Sequence, residues 1–178
     1  MFVEFEGTYK TDLSLGEGDV KYHKGYSRDF TTRGGKAIHL SLASNPSHLE
    51  FVNPVVLGMA RAKQDLASDP TRKRVVPVVV HGDAAFAGQG VCYESAQMAD
   101  LVGYTVGGCV HVIINNQVGF TTSPDQSRST LHSSDMAKML DVPIFHVNGD
   151  DADAVWQTAR LAIEFRQQFG KDVFIDLV

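Results

Sequence analysis

The chain has 178 residues, 43% of them hydrophobic and 21% charged, with 16 bases against 21 acids for a formal net charge of −5. That composition fits one soluble globular domain and excludes a disordered or collagenous chain. No apolar run approaches the roughly 20 residues of a membrane helix, and an acidic balance disfavours nucleic acid as a partner. Glu4 and Glu6 stand where a secretory leader needs positive charge.

Residues 1–36 are polar and Gly-rich without a regular period, and read as a lead-in segment to an α/β domain over 37–178. Residues 38–43 alternate apolar and polar, which predicts a strand. Asn45-Pro46 breaks it, and Ser47-His48-Leu49-Glu50 is a capping box, so a helix is predicted from there to about Ala67. Its apolar side would be Leu49, Val52, Val56, Met59, Ala60 and Ala62. The basic triplet Arg72-Lys73-Arg74 reads as a solvated approach to the next strand.

Val75–His81 is apolar and β-branched at nearly every position, the pattern of a strand buried on both faces. A helix over 90–102, a strand over 109–114 and a long loop over 117–132 follow. Residues 134–140 predict a short helix capped by Ser133 or Ser134, and 144–147 a short strand. Asp150–Asp153 opens a helix that Gly170 closes after Phe169, and 173–178 form a last strand. Strands alternating with helices predict a mostly parallel sheet flanked by helices on both faces. Cys92 and Cys109 form no C-x-x-C pair and read as reduced thiols in a reducing compartment.

In parallel sheets ligands sit beyond the carboxyl ends of the strands. His81–Gly90 lies at such an end. Its small residues let a ligand approach the backbone, and a helix start receives phosphate. Asp83 would repel phosphate unless a cation lies between them, which points to a divalent ion bridging to a phosphorylated cofactor; Mg²⁺ fits. A second oxygen would come from Asn116, 33 positions on at the next strand end, and a third from the Val118 carbonyl. Equally, Asp83 and Asn116 could be ordinary turn formers. His39, His81, His111, His132 and His146 show no metal-binding spacing, and those within apolar strands read as satisfied core histidines.

Gly82-Asp83-Ala84 followed by Asn115-Asn116 resembles the thiamine diphosphate motif, with Ala84 in place of its third glycine and a slightly long interval of 30 residues. Further blocks, GDVKYH at 18–23, NPSHLE at 45–50, NNQVGFTT at 115–122, PIFHVN at 143–148 and DVFIDLV at 172–178, resemble the decarboxylating component of 2-oxoglutarate dehydrogenase complexes along essentially the whole chain.

The resemblance implies the thiamine diphosphate-binding fold, specifically the core of its diphosphate domain. It implies thiamine diphosphate on Mg²⁺ held by Asp83, Asn116 and Val118, with Ala84, Gly88 and Gln89 also against the cofactor. It assigns His23 and His48 to the substrate and thiazolium, with Ser27 near the distal carboxylate of 2-oxoglutarate. The implied partner is the lipoyl domain of a dihydrolipoamide succinyltransferase, which receives the succinyl group. A homodimer in the bacterial cytoplasm or the mitochondrial matrix is implied as well. Family members are several times longer, so the chain reads as part of such an enzyme, inactive alone. A noncatalytic self-associating module and a relative acting on another 2-oxo acid are the alternatives. By the residues alone, His23 and His48 could each be plain surface.

Overall fold

The computed structural model describes residues 24–46 and 49–178, so His23 and His48 lie outside the described residues. Contacts divide the chain between Val52 and Asn53. In the first unit, β1 (Tyr26–Thr31) and β2 (Ala37–Leu42) pair antiparallel, from Tyr26 opposite Leu42 to Thr31 opposite Ala37. The Thr32–Lys36 turn closes with Thr32 N–H donating to the Lys36 carbonyl at 2.8 Å. Gly35 there has φ +78°, a conformation costly to any residue with a Cβ. Side chains alternate between two faces. Tyr26, Phe30, Ile38, Leu40 and Leu42 share one with Arg28, while Ser27, Asp29, His39 and Ser41 share the other.

That pairing corrects two expectations. The 38–43 strand does not open the parallel sheet, and a boundary after residue 36 would separate two hydrogen-bonded strands. An alternating pattern is common to both settings. The partner stretch, Tyr26–Thr31, alternates too, inside a region that looked patternless.

The second unit runs α1 (Val52–Leu66), β3 (Val78–Gly82), α2 (Asp83–Gly88), α3 (Gly90–Gln97), β4 (Val110–Ile114) and α4 (Pro124–Ser127). A 3₁₀ helix (Ser133–Leu140), β5 (Ile144–Val147), α5 (Ala152–Phe169) and β6 (Val173–Leu177) complete it. The four strands lie in the order β3-β4-β6-β5, all parallel. Two apolar clusters sit on opposite faces. Phe86, Cys92, Ala96, Met136 and Ala137 pack on Ile113 and Phe174. Ala162, with Val155 and Phe165 of α5, packs on Val110, Val173 and Ile175. Residues adjacent along β4 and β6 thus serve opposite clusters, as a sheet covered on both sides requires. The expected fold class is the one observed.

Local differences have physical causes. β3 is an edge strand, not one buried on both faces: Val78 and Val80 are exposed while Val79 and His81 are buried. Helix α1 begins at Val52 and is anchored less by its apolar positions than by Gln64, 0% exposed, whose amide donates to the carbonyls of Val75 and Val106. Met59 and Leu49 are exposed. The predicted 90–102 helix ends at Gln97. The 134–140 segment is 3₁₀, and its cap is His132, in a reciprocal box with Asp135, rather than Ser133 or Ser134. Helix α5 follows expectation: Asp151 accepts from Ala154 N–H at 2.9 Å, and Gly170 ends it at φ 66°.

Arg166 ties the base of this unit together. It is 1% exposed, and its guanidinium donates to the carbonyls of Gly108 (2.9 Å), Val106 (2.8 Å) and Val75 (3.3 Å). Among the described residues, no helix is long and apolar enough to cross a membrane.

Candidate cofactor site

Strand register builds the site. Gly82 lies opposite Ile114, so β3 and β4 end level and release Asp83 and Asn115-Asn116 at the same edge of the sheet. Asp83 opens α2 and is 1% exposed. Its Oδ2 accepts from Arg128 Nη1 at 3.1 Å, while its Oδ1 is buried with no partner. Buried carboxylate oxygens are normally satisfied, so an orphan one on the residue that follows a strand end is a place for a cation.

The loop after β4 folds over the start of α2. A Cβ at Gly119 would lie 3.3 Å from Ala84 Cβ and 2.9 Å from the Thr122 carbonyl, so only glycine fits there unaltered. Asn116 Oδ1 accepts the Val118 N–H at 3.1 Å in an Asx turn. Between these two, Gln117 holds φ 58°, a left-handed conformation that a non-glycine residue adopts at a cost. Added Cβ atoms at Gly82, Gly88 and Gly90 would meet nothing within 4 Å, so the space before them is open. Gln89, extended at φ −114° and ψ 121°, interrupts the helix between α2 and α3. The donors present, a carboxylate, an amide oxygen and a backbone carbonyl, are hard oxygen ligands of the kind Mg²⁺ takes. The residues therefore fit a magnesium–diphosphate group, with Asp83, Ala84, Gly88, Gln89, Asn116 and Val118 all in this unit.

Sequence reasoning missed Arg128. It stands 45 residues from Asp83 in a polar loop, with nothing in its surroundings to mark it. A cavity of ≈ 410 Å³ opens beside it, lined among others by Ala87, Tyr93, Arg128, Ser133 and Met139.

Behind the strand end lies a buried polar chain. His81 Nε2 sits 3.0 Å from His111 Nδ1, and His111 Nε2 is 3.5 Å from Asp172 Oδ2. Burial pushes the His111 imidazole down, but the charges of Cys109 and Asp172 and hydrogen bonds to both raise it to about 10. His81 and His111 thus bond each other, with Asp172 beyond them. Both are satisfied core histidines, as expected. Cys92 and Cys109 are buried and form no disulfide. Asn115 is held inward: its Nδ2 donates to Asp176 Oδ1 at 3.0 Å.

Ser27 belongs to the first unit. Its Oγ is 2.9 Å from His39 Nε2, and His39 Nδ1 is 2.7 Å from Asp29 Oδ1, all on the exposed polar face of the hairpin.

A model of the family described as "Dehydrogenase E1 component" matches residues 2–178. The chain is 55% identical over 179 residues to the 2-oxoglutarate dehydrogenase E1 component of Cupriavidus necator, covering 100% of this chain and 18% of that relative. Against the protein of the same name from Azotobacter vinelandii it is 54% identical over 179 residues, with 100% and 19% covered. The mitochondrial 2-oxoglutarate dehydrogenase of Dictyostelium discoideum is 50% identical over 176 residues, with 99% and 17% covered. The chain thus spans under a fifth of the length of these relatives.

Proposed function

Because the chain belongs to the dehydrogenase E1 component family, we propose that it forms the Mg²⁺- and diphosphate-holding face of a thiamine diphosphate-dependent enzyme that decarboxylates 2-oxoglutarate. The observation that carries this reading is the buried, unpartnered Oδ1 of Asp83 beside the Asn116 turn. Asp83 and Asn116, with the Val118 carbonyl, hold the ion; Ala84, Gly88 and Gln89 give the diphosphate room against the backbone. Thiamine diphosphate, when bound, supplies the electron sink for loss of carbon dioxide from a 2-oxo acid. The succinyl group then passes to the lipoyl domain of a succinyltransferase, and the enzyme acts as a homodimer.

Substrate choice follows from the second carboxylate of 2-oxoglutarate, which needs donors at its far end. His23, His48 and Ser27 are the residues for that role and for the thiazolium. The hairpin adds a condition on Ser27. Its hydroxyl oxygen already bonds the His39 ring at 2.9 Å, so Ser27 must leave or share that partner to serve a substrate carboxylate.

Calorimetric titration of thiamine diphosphate into the chain, with and without Mg²⁺, tests the core of this reading. Mg²⁺-dependent binding should vanish in Asp83→Ala and weaken in Asn116→Ala, which removes a neutral ligand. Equal binding by Asp83→Ala and wild type would refute the assignment.

A further inference from the structure

We infer that His132, His146 and Asp176 form a second metal centre, separate from Asp83, suited to Zn²⁺ or a similar divalent transition ion. The spacing of these residues along the sequence gives no sign of it; the fold assembles it. β6 carries Asp176, the neighbouring β5 carries His146, and the 3₁₀ helix carries His132 at its cap. His146 lies opposite Asp176 in the β5–β6 register.

His146 Nδ1 is 3.4 Å and His132 Nδ1 is 4.0 Å from the same oxygen, Asp176 Oδ2. The three ligand atoms all lie within 4.8 Å of one another. Two ligands on a tetrahedral ion with bonds of about 2.0–2.1 Å stand about 3.3 Å apart. The His146–Asp176 pair already meets that spacing, and the two pairs that involve His132, both within 4.8 Å, close by a turn of His132, whose side chain is 34% exposed.

The carboxylate is prepared as a ligand should be. Asp176 is 0% exposed. Ser134 Oγ donates to its Oδ2 at 2.5 Å, and Asn115 Nδ2 donates to its Oδ1 at 3.0 Å. Outer partners of this kind fix a metal-bound carboxylate in orientation. A buried carboxylate also needs positive charge nearby. Among the described residues, the charged or chargeable partners of Asp176 are these two histidines. Their rings stand 4.1 Å apart, so two imidazolium ions there would repel each other. One divalent ion satisfies all three groups at once. Two imidazoles and a carboxylate select a borderline ion over Mg²⁺, and three protein ligands leave a coordination position open. Both histidines are partly exposed, so an ion can enter from solvent.

The test is titration of the full chain with Zn²⁺ in excess Mg²⁺, read by calorimetry, and with Co²⁺, read by its visible spectrum. We expect one equivalent of Zn²⁺ and a Co²⁺ spectrum without sulfur charge-transfer bands. A His132→Gln/His146→Gln double variant, at partly exposed positions that leave the fold intact by circular dichroism, should lose the site. Ser134→Ala should bind about 10–100-fold more weakly. No stoichiometric binding by wild type would overturn the inference, leaving a hydrogen-bonded cluster only. So would unchanged binding in the double variant, or a thiolate band.

Discussion

Replacing Arg128 with glutamine tests the electrostatics of the cofactor site directly. Its guanidinium stands 3.1 Å from Asp83 Oδ2, with side-chain exposures of 9% and 2%, so solvent screening is slight. At an effective dielectric of about 20, that separation corresponds to an attraction of about 5 kcal/mol. Removing one partner of a buried pair typically costs about 3–5 kcal/mol, because the other charge is left uncompensated. Arg128→Gln should therefore lower the unfolding free energy by about 3–5 kcal/mol in urea titrations without Mg²⁺. Adding Asp83→Asn to it should recover part of that loss, since no charge is then stranded, and a double-mutant cycle should show the coupling. Mg²⁺ should stabilise Arg128→Gln more than wild type and leave the double variant unmoved. A loss under about 1 kcal/mol, or a coupling near zero, would show that Asp83 does not depend on Arg128 and would refute the buried-pair reasoning.

Three other outcomes are expected. Arg166→Met leaves the Gly108 carbonyl without its side-chain donor and those of Val75 and Val106 with Gln64 alone, and should cost on the order of 1–3 kcal/mol by thermal or urea unfolding; Arg166→Lys, lacking the planar fork, should not restore it. His111 is raised to about 10 in the folded chain. Its contribution is therefore fully present below its unfolded value near 6.5 and is lost as pH rises towards 10; the wild-type minus His111→Gln difference in urea midpoint should shrink across that window. In a complete enzyme carrying this sequence, Ser27→Ala should cut kcat/KM for 2-oxoglutarate by about 10–150-fold, the value of one charge-assisted hydrogen bond, and spare 2-oxovalerate. A parallel fall for both acids would move Ser27 from selectivity to general chemistry.

The sheet strands were legible because β-branched runs between breakers have few other readings: 144–147 appears as expected and 173–178 differs by one residue. Helix α5 was legible at both ends from Asp151 and Gly170. The hairpin was not, because period-2 alternation fixes a strand but not its partner or direction. β3 was misread as doubly buried because Val78–Val80 carries no mark of its place at the sheet edge. For the candidate site, Asp83, Asn116 and Val118 could be grouped because they follow successive strands. Arg128 and the His132–His146–Asp176 cluster could not, since long-range pairing, not local pattern, brings them together.

The strand order has a consequence for synthesis. β6 follows β5 in the sequence yet inserts between β4 and β5, with hydrogen bonds to both. A nascent chain that has released β3, β4 and β5 can pair only the first two. The inner edge of β4 and the whole of β5 wait, with unanswered amides and carbonyls, until residues 173–177 leave the ribosomal tunnel. The final join is a parallel pairing of sequence-distant segments, the slow kind. Translation speed through α5 thus sets how long that open edge is offered to chaperones or to other nascent chains.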